Sequence, residues 1–153
     1  MTATLPTPSV ALDDQLCFAL YAASRAVTAR YRPMLDERGL TYPQYLVMML
    51  LWEQDHQTVG QLGARLSLDS GTLSPLLKRL TAAGLVTRHR RVEAERSVSI
   101  ALTDAGRALR EKSISISEQM IGAIGFDAAE FDDLKGRLRL LTERVTTGSQ
   151  PLA

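Results

Sequence analysis

The single cysteine of the sequence, Cys17, is the side chain best suited to redox chemistry. A thiolate can be oxidised by a peroxide to sulfenic acid, so Cys17 is a candidate redox sensor. The competing interpretation is a small buried apolar residue, which its place beside Leu16 and Leu20 favours when position alone is considered. A sensor thiolate needs hydrogen-bond donors, and tyrosine hydroxyl groups are the available ones. The four tyrosines of the chain lie in one stretch, at Tyr21, Tyr31, Tyr42 and Tyr45.

The spacing of these residues restricts which of them can meet. Cys17 and Tyr31 are fourteen positions apart, which on one helix corresponds to about 21 Å. They therefore cannot touch within one chain. If two chains pack their first helices in antiparallel fashion, Tyr31 of one subunit can reach Cys17 of the other. A sensor pocket of this kind would be shared between subunits.

Basic residues are concentrated in one part of the chain, although its formal net charge is only +1. Residues 65–96 contain seven basic and three acidic side chains, so this segment alone carries a charge of +4. The basic ones are Arg65, Lys78, Arg79, Arg88, Arg90, Arg91 and Arg96. Phosphate neutralisation supplies most of the non-specific affinity of proteins for DNA, so this local excess predicts double-stranded DNA as a partner.

Two predicted elements in this segment supply the candidate DNA contacts. The first is a helix that begins with small polar residues, which let the backbone approach the major groove and can read base edges. Its candidate contacts are Asp69, Ser70, Gly71, Thr72, Ser74, Pro75, Lys78 and Arg79. The second is a hairpin whose guanidinium groups can hold phosphates or enter a minor groove, at Arg88, Arg90, Arg91 and Arg96. For any one of these residues, an ordinary solvated surface is the competing interpretation.

The spacing of apolar residues predicts the helices that precede this segment. Residues 12–32 carry apolar side chains three and four positions apart, which is typical of an amphipathic helix. Pro33 is expected to break this helix and to start a short one over 33–38, which Gly39 ends. The following helix is apolar on every side over 45–52 and is expected to be buried all round.

A helix-turn-helix is predicted in the middle of the chain. Thr58 and Gln61 have the spacing of a capping box, which opens a short helix. A turn at 68–71 offers new N-cap residues for a second helix, which Gly84 ends.

A wing and two further helices are predicted after it. Residues 86–91 and 98–102 alternate with a period of two and predict a two-stranded hairpin. A helix runs from Thr103 to about 121, and a capping box at 127–130 opens the last one. The expected fold is mainly α with a small β-hairpin (α+β), a winged helix-turn-helix flanked by N- and C-terminal dimerisation helices. The flanking apolar stripes lack a partner in so small a domain, which predicts a homodimer.

The composition of the 153-residue chain fits one folded domain, because 45% of its residues are hydrophobic. Residues 12–146 are expected to form it, with dimerisation helices over 12–40 and 103–146 and the winged helix-turn-helix over 43–102. Residues 1–11 and 147–153 are expected to be flexible tails. One cysteine excludes an intrachain disulfide, and the sequence shows neither an apolar run of membrane-spanning length nor a signal peptide. We therefore expect a cytoplasmic protein.

Several segments resemble the MarR family of bacterial winged-helix repressors, and more closely its organic hydroperoxide resistance regulator branch. The resemblance extends from about residue 12 to 145. Its most specific parts are a cysteine in the first helix, Tyr-Pro-Gln-Tyr at 42–45 and Leu-Asp-Ser-Gly-Thr at 68–72. The other matching segments are 15–25, 31–35, 68–79, 95–98 and 102–103.

This resemblance implies a dimeric repressor that binds an inverted-repeat operator and controls a gene for an organic hydroperoxide-reducing enzyme. Organic hydroperoxides would be the signal, and oxidation of Cys17 would release the DNA. Tyr31 and Tyr42 match the tyrosines that hydrogen-bond the reactive cysteine, Tyr21 matches another aromatic of that pocket, and Arg96 matches the wing-tip arginine. The implied protein is not an enzyme and needs no cofactor and no metal.

Two departures from the family pattern bear on this expectation. Many members have an aspartate two residues before the wing arginine, where this chain has Ala94. One branch has a second, resolving cysteine, which this chain lacks. Its sulfenic acid must then react with a small thiol to form a mixed disulfide, with Cys17 of another subunit, with a backbone nitrogen, or with more peroxide.

Two other functions stay open at this level. The first is a MarR-type repressor relieved by a small phenolic ligand, with an inert cysteine. The more distant one is a thiol peroxidase that uses Cys17 catalytically, for which the basic wing would have no use. A metal site is not expected, because His56 and His89 share no ligand spacing with Cys17.

Overall fold

The computed structural model describes residues 5–90 and 98–147. The described residues up to Ile116 form one compact unit and those from Ser117 onward form a second, and the division falls within one helix. The expectations for Arg91, Ala94 and Arg96 concern positions outside the described residues.

The first long helix, α1, spans Leu16–Asp36 and follows a 3₁₀ turn at Leu12–Asp14. The prediction that this helix begins at residue 12 is therefore wrong by about one turn. The reason is the extended backbone of Gln15, whose φ and ψ are −86° and 114°. This shift places Cys17 at the second position of the helix.

The predicted break of α1 at Pro33 is also wrong, because the helix continues through this residue. Pro33 lies in the last turn, where its missing N–H removes a single helical hydrogen bond. Leu35 is 1% exposed, and its carbonyl accepts a hydrogen bond from the Leu40 N–H at 3.1 Å. Burial and capping of the helix end therefore outweigh the lost bond.

Helix α2 spans Tyr42–Glu53 and forms the centre of the first unit. It begins with a capping box, in which the Gln44 side chain accepts from the Thr41 N–H at 2.9 Å and the Thr41 hydroxyl accepts from the Gln44 N–H. Val47 and Met48 are fully buried. Met49 is 40% exposed, so the prediction of burial on every side is wrong at this position.

The helix-turn-helix consists of α3, Val59–Leu66, and α4, Ser70–Ala82. The predicted capping box of α3 is confirmed, with the Gln61 N–H 3.1 Å from the Thr58 hydroxyl and the Thr58 N–H 2.8 Å from the Gln61 side chain. The predicted end of α4 at Gly84 is confirmed as well: its φ of +72° is a left-handed conformation that glycine adopts without strain.

The sheet consists of β1 (Gln57–Thr58), β2 (Val86–Arg90) and β3 (Val98–Leu102), in the order β1-β3-β2 with antiparallel pairing. The β2–β3 pair confirms the predicted hairpin, with Val86 opposite Leu102 and Arg90 opposite Val98. Strand β1 was not predicted, because two residues are too few to show alternation.

The last two helices are α5, Asp104–Ile124, and α6, Ala128–Thr147. The predicted box before α6 is confirmed by hydrogen bonds between Asp127 and Glu130, of 2.9 and 3.0 Å. In the second unit, the large apolar side chains of α6 are largely exposed, as shown by Leu134, Leu138 and Val145. Among the helices of residues 5–90 and 98–147, none combines the length and the apolar character that a membrane span needs.

Candidate DNA-binding surface and redox site

The inner face of α4 fixes this helix in the core of the first unit. Leu73, Leu77 and Leu80 are fully buried, and Leu76 is 8% exposed. The opposite face therefore points away from the core. This is the orientation that a recognition helix needs, since its outer face must be free to enter a groove.

Asp69 is the N-cap of α4, and both of its carboxylate oxygens bond to Thr72. One accepts from the Thr72 N–H at 2.8 Å and the other from the Thr72 hydroxyl at 3.0 Å. These hydrogen bonds hold the pKa of Asp69 below its ordinary value. Of the predicted DNA contacts, these two are thus placed where they bond each other and fix the start of the helix.

The other predicted contacts of α4 lie on its exposed face. They are Ser70, Gly71, Ser74, Pro75, Lys78 and Arg79. Pro75 lies inside the helix and has no N–H, so the Gly71 carbonyl loses its helical donor. Among the described residues, neither Lys78 nor Arg79 forms an ion pair, whereas Arg65 is bound to Glu53 at 3.1 Å.

The wing contributes exposed basic residues from β2. Arg88 and Arg90 have exposed side chains, and in the described part of the chain they too form no ion pair. Thr103 holds the base of the hairpin: its hydroxyl donates to the Gly84 carbonyl at 2.6 Å and its N–H donates to the Leu85 carbonyl at 3.1 Å. The two described wing arginines therefore have no acidic partner among the described residues.

Cys17 lies in the first turn of α1 and is exposed. The alternative in which it is buried in the chain's own core is therefore wrong. No side chain caps this end of the helix, because the Gln15 side chain bonds backward to the carbonyl groups of Ser9 and Ala11. The first N–H groups of a helix lack intrahelical acceptors and stabilise nearby negative charge. Sequence reasoning missed this placement because it began the helix one turn too early.

Tyr31 and Tyr42 contact each other, with ring centroids 4.8 Å apart, and Tyr45 lies 6.0 Å from Tyr31. We call these three residues the tyrosine cluster. Burial raises the pKa of each hydroxyl above its ordinary value, and the neighbouring phenols add to the effect on Tyr31. Their hydroxyl groups therefore remain protonated and able to donate at neutral pH. Tyr45 was not among the predicted pocket residues.

Tyr21 is separate from this cluster. It is 57% exposed and lies one turn after Cys17 on α1. Its hydroxyl accepts a hydrogen bond from Arg25 at 2.8 Å, and the guanidinium lies 5.4 Å from the ring centroid. The predicted pocket residues thus form two groups, Cys17 with Tyr21 and Tyr31 with Tyr42. Because α1 is continuous, Cys17 and Tyr31 are about 21 Å apart along it.

A cavity of about 420 Å³ lies between α1 and the start of α2. Its lining includes Tyr42 and Thr41 together with two arginines, Arg25 and Arg32. Small-molecule sites commonly have volumes of roughly 300–1,000 Å³. The cavity could therefore hold a small ligand that accepts hydrogen bonds from arginine.

Comparison with known proteins supports the regulator function. A family model described as the transcriptional regulator SarA/Rot matches residues 29–113. The organic hydroperoxide resistance transcriptional regulator of Bacillus subtilis is 48% identical over 134 residues, which cover 88% of this chain and 91% of that protein.

Solved structures of AbfR, a protein of Staphylococcus epidermidis, are also similar. Reduced AbfR bound to DNA has a TM-score of 0.79 and 35% identity, covering 91% of this chain and 95% of that one. AbfR in a disulfide form has a TM-score of 0.61 and 37% identity, covering 89% and 90%.

These relatives are regulators, and the winged helix-turn-helix described above is the fold they share. This chain is accordingly a regulator and not an enzyme. It belongs to the MarR family of DNA-binding transcriptional regulators, in the organic hydroperoxide resistance regulator branch.

Proposed function

We propose that this protein is a homodimeric repressor that binds an inverted-repeat operator and releases it when an organic hydroperoxide oxidises Cys17. The observation that carries the proposal is the placement of the exposed cysteine at one end of α1 and of protonated phenol donors near the other end. The name of the Bacillus subtilis relative supports the hydroperoxide signal.

The DNA-binding surface is the outer face of α4 together with the wing. Ser70, Gly71 and Ser74 approach base edges in the major groove, while Lys78 and Arg79 pair with phosphates. Asp69 and Thr72 fix the helix start. The wing contacts are Arg88, Arg90, Arg91 and Arg96. In a dimer, the two recognition helices enter successive major grooves when they are about 34–36 Å apart.

Dimerisation covers the apolar side chains that one chain leaves exposed. Leu12, which precedes α1, and Leu16 and Tyr21, in its first two turns, are each more than half exposed. Exposed apolar surface of this kind is a sign of an interaction site. If the two α1 helices pack in antiparallel fashion, the partner subunit's Tyr31 and the partner subunit's Tyr42 approach Cys17.

The proposed oxidation transfers two electrons from sulfur to the peroxide. The Cys17 thiolate attacks the outer peroxide oxygen, and the S–O bond forms as the O–O bond breaks. That oxygen keeps its hydrogen, so the product at Cys17 is a sulfenic acid. The alkoxide leaves and takes a proton from solvent to become an alcohol. The phenol hydroxyl groups that faced a thiolate then face a neutral group and lose their strongest hydrogen bonds.

The sulfenic acid is expected to condense with a thiol and release water. The chain has no second cysteine, and in the antiparallel arrangement the partner subunit's Cys17 lies about 21 Å away, so the thiol comes from a small molecule or from Cys17 of a second dimer. A related regulator, AbfR, has been solved in a disulfide form. Loss of the tyrosine hydrogen bonds shifts α1 and α2, and a coupling of roughly 3 kcal/mol weakens operator binding more than 100-fold.

The test is operator binding with and without cumene hydroperoxide, on DNA that the reduced protein has selected from random sequences. The wild-type protein should release this DNA after peroxide treatment, whereas Cys17→Ser should stay bound. Ala19→Ser is a matched control, since it adds a hydroxyl two positions along the same helix and keeps the thiol. Release of Cys17→Ser at the wild-type peroxide dose would refute the redox mechanism.

The cavity beside Tyr42 favours a second candidate, a repressor relieved by a small phenolic ligand. Its volume and its two arginines suit a phenol or phenolate. This alternative predicts that salicylate releases DNA from the Cys17→Ala variant as well as from the wild type. Release by salicylate that requires Cys17 would exclude this alternative.

A further inference from the structure

The tyrosine cluster extends along α2 to a tryptophan. The ring of Tyr45 lies 6.0 Å from the ring of Trp52, with an edge-to-face angle of 68°. Tyr42, Tyr45 and Trp52 are three and seven positions apart, so they lie along one side of the helix. Aromatic pairs in this geometry attract each other beyond the burial of their surface. A movement of the tyrosine rings therefore displaces the indole ring.

The indole is in turn bonded to the base of the wing, by which we mean Leu85, Thr103 and Gly106. The Trp52 indole N–H donates to the Gly106 carbonyl at 2.9 Å. Gly106 packs directly on the backbone of Leu85, since a Cβ at this position would lie 2.1 Å from the Leu85 carbonyl oxygen. The same oxygen accepts from the Thr103 N–H. Leu85 immediately precedes β2, so the contact fixes where the wing starts.

We propose that Trp52 is a positioning residue, which transmits the state of the tyrosine cluster to the base of the wing. This inference rests on the proposed redox function. In the reduced dimer, hydrogen bonds to the thiolate hold the phenol rings, the rings hold the indole, and the indole N–H holds Gly106. After oxidation the rings are free to move, the bond to Gly106 loses its fixed geometry, and the wing leaves the orientation that fits DNA.

Asp55 provides a control at the same junction. Its carboxylate accepts from the Leu102 N–H at 2.8 Å and from the Arg107 side chain at 3.2 Å, so it ties the end of α2 to β3 and α5. Within the described residues, none of its hydrogen bonds or ion pairs reaches the tyrosine cluster. Loosening these Asp55 contacts should therefore weaken operator binding through the wing equally in both redox states.

The first experiment compares operator affinity in the reduced and the cumene hydroperoxide-treated protein for wild type, Trp52→Phe and Asp55→Asn. Phenylalanine keeps an aromatic ring but removes the N–H donor. Trp52→Phe should decrease the ratio of reduced to oxidised affinity by roughly 2- to 30-fold. Asp55→Asn should lower both affinities and leave their ratio unchanged. Thermal melting of each variant verifies that it is folded.

The inference would be overturned if Trp52→Phe kept the wild-type ratio of reduced to oxidised affinity. It would also be overturned if Asp55→Asn decreased this ratio as much as Trp52→Phe does.

The second experiment uses Trp52 fluorescence, since this is the only tryptophan. Its emission should change when the wild-type protein is oxidised and stay constant in Cys17→Ser. Operator release without any emission change would refute the role of Trp52 and leave the redox function intact. If peroxide neither releases the operator nor changes the emission, the proposed function fails and this inference fails with it.

Discussion

The recognition helix and the start of α1 differ in how complete they are within one chain. On α4, Leu73, Leu77 and Leu80 are fully buried and the N-cap is satisfied. At the start of α1, Leu16 is 62% exposed and the reactive candidate Cys17 is exposed as well. The proposed DNA-reading helix is therefore complete within one chain, whereas the proposed sensor needs a second chain to cover it and to supply its phenol donors.

The two regions are therefore stabilised in different ways, one by the folding of a single chain and the other by the association of two chains. The position of α4 depends on the folding of its own chain, so it is independent of protein concentration. The proposed sensor depends on association, so it should form only where dimers form. Substitutions in the two regions should consequently fail in different ways, and this provides direct tests of the comparison.

The largest expected effect is in the core behind α4. Leu77→Ala should lower the free energy of unfolding by about 2–5 kcal/mol, because it leaves a cavity where a fully buried side chain was. Urea denaturation measures this change. Met49→Ala is the control, since Met49 is 40% exposed and should cost far less. Equal losses in the two variants would contradict the picture of a finished core behind α4.

The next effect concerns dimer formation. Leu16→Glu should raise the dimer dissociation constant roughly tenfold or more, because a charge replaces an apolar side chain at the proposed interface. Sedimentation over a dilution series measures it. Ala82→Glu places the same charge on the exposed side of α4 and should leave the dimer intact. A dimer unaffected by Leu16→Glu would mean that α1 is not completed by a partner.

A smaller effect is expected at the proposed phosphate contacts. Lys78→Ala should weaken binding to all DNA sequences alike and reduce the salt slope by about 1. Salt titrations of binding by fluorescence anisotropy measure this slope. Arg65→Ala should change it less, because Arg65 is already bound to Glu53. A salt slope that Lys78→Ala leaves unchanged would remove this residue from the DNA-binding surface.

The smallest expected effect is on the stability of the fold at acidic pH. Hydrogen bonds from Thr72 lower the pKa of Asp69 in the folded state, so this carboxylate stabilises the fold above its unfolded pKa of about 3.9. The contribution is lost as the pH falls through the lower, folded value. Asp69→Asn keeps a capping oxygen but cannot ionise, so its stability should fall less steeply between pH 4 and the acid limit. Parallel pH curves for the two proteins would show that the Asp69 charge does not matter.

Local signals predicted much of the fold. The boxes at Thr58 and Asp127 were recognisable because each joins residues three positions apart. Pro33 was misjudged because the signal that opposes it is tertiary, namely the burial of Leu35. The exposure of Cys17 could not be read from an apolar stripe either, since such a stripe does not reveal whether the chain itself or a second copy covers it.

The contacts of Trp52 and Asp55 at the base of the wing could not be predicted from the sequence pattern. Trp52 and Gly106 are 54 positions apart, and Asp55 and Leu102 are 47 apart. Contacts at such separations follow no period and no motif. The roles of the predicted DNA contacts and pocket residues stay predictions, since only binding experiments can assign them.

The unbroken course of α1 has a genetic consequence. With the cysteine near one end of a rigid rod and Tyr31 near the other, a dimer would contain two sensors, each assembled from both gene products. A Cys17→Ser allele or a Tyr31→Phe allele, when expressed by itself, would give a protein that does not respond to peroxide. Expressed together, they would form mixed dimers in which one sensor has both defects and the other has none. The purified mixed dimer should therefore regain one working sensor and respond to peroxide, whereas in a cell the two unresponsive homodimers would stay on the operator and keep the gene repressed.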